Sequence, residues 1–187
     1  MNLSVIICAK DAAATIERAV RSVLPERHCA LLLVDDHSSD KTVARAQHVA
    51  GERLQVVRAR APGGIPLARQ TGLDACGTEF AAWLDADDEW IPGRATRIVR
   101  ALQAGVDVYS DPIELTDGAT GARFRRLDVP DFVRREAVPA RLFERNHLPG
   151  DTQVGFRVAA FRDAGGCDAA AFGAESFDIL LRVIARG

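Results

Sequence analysis

Lysine is nearly missing from this 187-residue chain: of 24 Lys and Arg residues, only Lys10 and Lys41 are lysines. Set against 26 Asp and Glu, the formal charge is −2, which removes the broad electrostatic warrant for a nucleic-acid binder. Long apolar runs are also lacking. The strongest, Leu31–Val34 and Phe80–Leu84, fall far short of the roughly 18 residues that span a bilayer. Met1-Asn2-Leu3-Ser4 leads straight into a strand-like segment with no basic region, apolar helix or cleavage site. The expectation is a cytoplasmic protein without a transmembrane segment, at most peripheral to a membrane. The four cysteines, Cys8, Cys29, Cys76 and Cys167, form no C-x-x-C pair, so they read as buried thiols rather than zinc ligands. Neither G-x-G-x-x-G nor G-K-[ST] opens a helix, so dinucleotide and P-loop readings lose their main support.

What is present is an alternation of two hydrophobic periods. Leu3–Ala9 is a short, β-branched apolar run of the kind expected for a strand buried on both faces. Ile16, Val20, Val23 and Leu24 then recur at helical spacing, and Pro25 stops them. The cycle repeats: strand Leu31–Val34, Asp40 as N-cap, helix Val43–Ala50; strand Leu54–Val57, the Pro62-Gly63-Gly64 turn, and a helix from about Pro66 to Cys76. Strand Phe80–Leu84, helix Pro92–Ala104 and strand Val106–Tyr109 complete a β-α series that implies a largely parallel sheet flanked by helices. Beyond Asp111 the alternation lapses. Ile113–Thr116 and Ala122–Leu127 read as a hairpin, Asp128–Arg145 as a polar, Arg-rich loop with a short helix, Gln153–Val158 as a strand, and Phe177–Ile184 as a final helix. The expected organisation is one α/β domain over residues 1–187, with a Rossmann-like half, 1–111, followed by a more irregular half, 112–187.

In an open parallel sheet, ligands bind beyond the carboxyl ends of the strands. There the sequence sets Lys10 and Asp11, then Asp35 and Asp36, then Asp85, Asp87 and Asp88, and finally Asp111. Carboxylates so close repel one another unless a cation neutralises them, and hard oxygen ligands favour Mg²⁺ or Mn²⁺ bridging to phosphates. Each acidic residue alone could be a turn residue or cap; their joint occurrence after buried strands points to an anionic ligand carried by a divalent ion.

Ser4–Asp11, Leu33–Thr42, Gly64–Leu73, Trp83–Trp90, Ala164–Asp168 and Glu175–Arg182 resemble, in order, the blocks of family 2 glycosyltransferases with the GT-A fold. The resemblance implies transfer of a sugar from a nucleoside diphosphate donor, a UDP-sugar being favoured, to a hydroxyl of a glycan, lipid-linked or small-molecule acceptor. It implies that Ala9, Lys10, Asp11 and Asp36 line the nucleoside pocket, Asp36 accepting a hydrogen bond from a base N–H. Arg69 would stand near the nucleotide, where its planar fork suits a phosphate or a buried carboxylate, or it would form a structural Arg–Asp pair. Asp85 and Asp87 would form the D-x-D pair, Asp85 nearer the ribose and Asp87 on the metal, with Asp88 assisting or capping the turn.

An inverting transfer needs a base opposite the leaving group; the resemblance implies that this is the Asp of a Glu-Asp pair at the start of the last helix, and here that pair is Glu175-Ser176. Three readings stay open: Glu175 is the base, Asp178 or another carboxylate such as Asp151 takes the role, or the protein binds donor without efficient transfer. Lys10, Cys8 and His37 also depart from the family's usual residues, and His37 is expected to be a solvent-exposed turn residue. No Q-x-x-R-W block follows, which argues against a processive synthase. A receiver domain would need a lysine after the fifth strand, and a nucleotidyltransferase a Gly-rich loop after the first; neither is present. Family members usually continue beyond the helix at which this chain ends, so either a minimal enzyme or a truncated catalytic domain is expected.

Overall fold

The alternating patches in the sequence have one structural consequence in this computed structural model, which describes residues 2–129, 154–171 and 173–186: a sheet with two buried faces. Strands β1 (Leu3–Ala9), β2 (Cys29–Asp35), β3 (Leu54–Arg58), β4 (Phe80–Asp85), β5 (Val108–Ser110) and β8 (Val154–Arg157) assemble in the order β3-β2-β1-β4-β8-β5. The first four are parallel, and β8 runs antiparallel to both its neighbours. Strands β6 (Ile113–Thr116) and β7 (Arg123–Leu127) form the separate hairpin the sequence led one to expect.

Because side chains alternate along a strand, β1 divides its apolar residues between two cores. Leu3, Val5 and Ile7 face α1 (Ile16–Val23), α2 (Thr42–Ala50) and α4 (Arg94–Gln103). Ile6 and, partly buried, Cys8 face the opposite layer, made of α3 (Ile65–Ala75), α5 (Val158–Asp163) and α6 (Glu175–Ile184). That second core is built around Phe156, whose ring stacks on Phe161 at 3.8 Å and meets Trp83 at 5.0 Å.

Several sequence boundaries shift. The fifth strand begins at Val108 rather than Val106, and α4 at Arg94 rather than Pro92. The first residue outside α2 is Lys41, not Asp40; the Asp40 carboxylate nonetheless accepts the Thr42 N–H at 2.8 Å and ties α2 to the Ala13 N–H at 2.9 Å. Helix α5 was not expected, because six residues carry too little periodicity to separate from the strand before them. Asp151 and most of the Arg-rich 128–145 stretch lie outside the described residues.

Candidate active site

The strand order sets the site's position. From β1 the chain moves outward to β2 and β3, then returns to lay β4 on the other side, so the connections diverge at the carboxyl end of β1. Register fixes what meets there: Ala9 pairs with Asp35, and Cys8 with Asp85. Asp36 and Asp85 thus flank β1 two strands apart, about 10 Å from the ~4.8 Å strand spacing.

On the β2 side, the Asp36 carboxylate is buried and accepts the Gly64 N–H through both oxygens, at 3.0 and 2.9 Å. Its own N–H donates to the Ala9 carbonyl at 2.8 Å, and Lys10 Nζ stands 3.9 Å from Oδ2. Asp11, with φ 47°, turns its carboxylate to the Ser39 N–H at 2.7 Å and hydroxyl at 3.0 Å, bonds that hold it below the ordinary carboxylate pKa. Asp11 therefore staples the first loop to the second, with Asp36 beneath them. His37 is not the exposed residue expected: it is half-buried, its Nδ1 accepts from Arg58 Nε at 3.1 Å, and its Nε2 is fully buried without a partner among the described residues. Its φ is 60°, and its ring lies against Gly63, where an added Cβ would meet His37 Cδ2 at 3.2 Å.

On the β4 side, Arg69 carries the junction. Its side chain is 5% exposed, and the guanidinium reaches Glu175 Oε1 at 3.3 Å, Asp85 Oδ1 at 3.4 Å and the Ser176 hydroxyl, with the Trp83 ring 5.9 Å away. The contacts displayed are an ion pair with the half-exposed Asp85 and another with the buried Glu175, so an Arg–Asp pair is present at the place where the resemblance sets the nucleotide. Glu175, at the first turn of α6, is 4% exposed, and its Oε2 accepts the Gly173 N–H at 2.8 Å. Asp178, one turn on, is held by Arg182 at 2.6 and 3.0 Å, while Arg182 itself bonds the Ala164 and Gly166 carbonyls. Asp178 is thereby engaged in docking α6.

Asp85, Asp87 and Asp88 line a groove of about 580 Å³ between the β4–α4 loop and the β6–β7 hairpin. Among the described residues no three His, Cys, Asp or Glu side chains converge closely enough to hold a metal alone. The hard-oxygen donor set nevertheless suits Mg²⁺ or Mn²⁺, which take only one or two carboxylates and fill the remaining positions with phosphate and water. Asp111, expected on the acidic rim, is buried instead: Arg94 Nε, Arg97 Nε and the Tyr109 hydroxyl donate to it at 3.0, 3.4 and 2.7 Å. Burial lowers the Arg94 pKa and Asp111 opposes the shift, while burial and the Asp111 bond push Tyr109 up to about 12. This wall was missed because nothing in sequence spacing distinguishes a rim carboxylate from one covered by arginines fourteen and seventeen residues upstream.

A family model described as glycosyl transferase family 2 matches residues 4–165, from β1 to the end of α5. The chain belongs to glycosyl transferase family 2. The succinoglycan biosynthesis protein ExoU of Rhizobium meliloti is 38% identical over 124 residues, covering 65% of this chain and 36% of that protein. ExoO of the same organism is 30% identical over 162 residues, covering 78% and 44%. The chain thus spans less than half the length of these relatives. Its fold is shared with glucosyl-3-phosphoglycerate synthase of Mycobacterium tuberculosis, solved with Mn²⁺, UDP-glucose and glycerol 3-phosphate, at a TM-score of 0.71 and 18% identity over 98% of this chain and 65% of that one. Among the described residues no helix is long and apolar enough to cross a membrane.

Proposed function

We propose that this chain holds the donor-binding centre of a non-processive glycosyltransferase that moves a sugar, with inversion, from a UDP-sugar to an acceptor hydroxyl. The observation that carries the reading is Arg69, which joins the D-x-D segment through Asp85 to the first turn of the last helix through Glu175, 106 residues away in sequence. Donor-side and acceptor-side carboxylates thereby share one buried cation beyond the sheet's carboxyl edge.

Asp36, pre-set by Gly64, accepts the base N–H. Asp85 is oriented by Arg69 towards the ribose. Asp87 would hold the divalent ion, with Asp85 or Asp88 beside it; when bound, the ion stabilises the charge growing on the departing diphosphate. The acceptor oxygen attacks the anomeric carbon as the bond to the β-phosphate oxygen breaks, and the acceptor proton passes to Glu175. Replacing Glu175 with Gln lowers transfer by about 10²–10⁴-fold while nucleotide binding persists, since the amide keeps the shape but cannot take the proton. Unchanged turnover would remove Glu175 from the mechanism.

One observation favours a second reading. Glu175 is buried with both oxygens already hydrogen-bonded, and Ser176 occupies the usual base position. A module that binds donor and transfers poorly has the same geometry. Donor hydrolysis in the presence of Mn²⁺ separates the two, and a thermal-shift series of UDP-, GDP- and dTDP-sugars with and without Mn²⁺ tests both. No shift with any nucleotide would refute the donor site itself.

A further inference from the structure

The loop that carries Asp87 is tied to α1 and the turn after it at successive points, by residues outside every sequence block that drew attention to the site. Arg18 Nη2 donates to the Asp87 carbonyl at 2.8 Å, and its Nε meets Glu89 Oε1 at 2.8 Å. One turn on, the Ser22 hydroxyl oxygen accepts the Trp90 N–H at 2.9 Å; beyond the helix, Glu26 Oε1 accepts the Gly93 N–H at 2.8 Å. The helix itself is fixed, because Ile16, Ala19, Val20 and Val23 on its other face are buried in the core. The far end of the loop is anchored by Trp90, 4% exposed, with the Arg94 guanidinium 4.9 Å from its ring.

Asp85, Asp87, Asp88 and Glu89 put four carboxylates within five residues, and their repulsion favours a splayed loop. Arg18 offsets this in a directed way. Its planar fork binds a backbone oxygen and a carboxylate two residues apart, which fixes the loop backbone from Asp87 to Glu89, whereas lysine supplies only a point charge. We infer that Arg18 is a positioning residue: it sets the direction in which the Asp87 carboxylate meets a divalent cation shared with the donor diphosphate. This inference rests on the proposed donor site.

The test is a Mn²⁺ titration followed by the paramagnetic resonance signal of the free ion, with saturating UDP, and GDP in parallel. It uses the unaltered chain, Arg18→Ala, Arg18→Lys, and Arg21→Ala, whose residue pairs with Glu17 on α1 and does not touch the loop. Losing a group that orients a metal ligand costs about 10–100-fold in metal affinity. Arg18→Ala should therefore weaken Mn²⁺ binding about tenfold, Arg18→Lys should fail to restore it, and Arg21→Ala should match the unaltered chain. Metal-free UDP binding, which depends on Asp36, should stay constant in all four. Full affinity in Arg18→Ala overturns the inference, and so does rescue by lysine, which would reduce Arg18 to a bulk charge. If the unaltered chain binds no Mn²⁺ with either nucleotide, the donor-site reading fails first, and this inference with it.

Discussion

A methyl group at position 63 would lie 2.4 Å from Asp36 Oδ1, and the residue's φ of +95° is one that side-chain-bearing residues avoid. Gly63 thus lets the turn close over Asp36 so that the next N–H can grip both carboxylate oxygens. Gly63→Ala should displace that carboxylate, weakening UDP binding at least tenfold by calorimetry while costing about 1–2 kcal/mol of stability for the strained backbone. An unchanged UDP affinity would show that Asp36 does not face the base. Arg69 is the residue of opposite character, a buried charge rather than a missing atom. Removing it leaves Glu175 as an unpaired carboxylate in the interior, so Arg69→Ala should cost about 3 kcal/mol in urea unfolding. The half-exposed Asp85 adds little to that figure, because solvent screens it.

At the scale of elements, the contrast between the two halves of the chain explains what could be read in advance. The four parallel strands and α1–α4 were legible because each is a continuous apolar run or a helical stripe punctuated by Pro25, Gly51 or Pro66. The position of β8 was not. Nothing local says that Val154–Arg157 inserts between β4 and β5 and reverses direction; that depends on Gly155, where a Cβ would sit 2.5 Å from Ile98 Cγ2. The missing side chain lets α4 lie directly on β8. Gly155→Ala should therefore destabilise by about 1–3 kcal/mol through overpacking, with β8 among the first amides to exchange. The candidate site divides similarly: Asp36, Asp85 and Asp87 followed from their place after strands, whereas the Arg18 brace and the Arg94–Arg97–Tyr109 cover over Asp111 exist only once helices pack.

For the whole molecule, two loop carboxylates beside the site and three thiols spread through the fold set the pH range of stability. Asp11 and Asp40, which join the first two loops, have pKa values held below 3.8 by hydrogen bonds from Ser39 and Thr42. A carboxylate depressed on folding stabilises the native state above its unfolded pKa, and that contribution is lost as pH falls through the folded value. At the alkaline end the buried thiols act in the opposite sense. Burial pushes Cys8 up to about 12, with the nearby Arg69 opposing, and raises Cys29 and Cys167 to about 11, from an ordinary value of 9.0. Their neutral forms are favoured on folding, so stability is full below pH 9 and declines as pH rises towards 11–12, where the unfolded chain has already lost those protons. Urea midpoints should accordingly form a plateau from about pH 4 to 9 and fall on both sides. Replacing Cys8 and Cys167 with Ala should shallow the alkaline limb, and Ser39→Ala the acidic one. In the native state the same thiols should resist alkylation at pH 8 and react once urea exposes them, because the thiolate is the reactive species. An alkaline limb unaltered in the double cysteine variant would mean that these thiols are not the groups titrating.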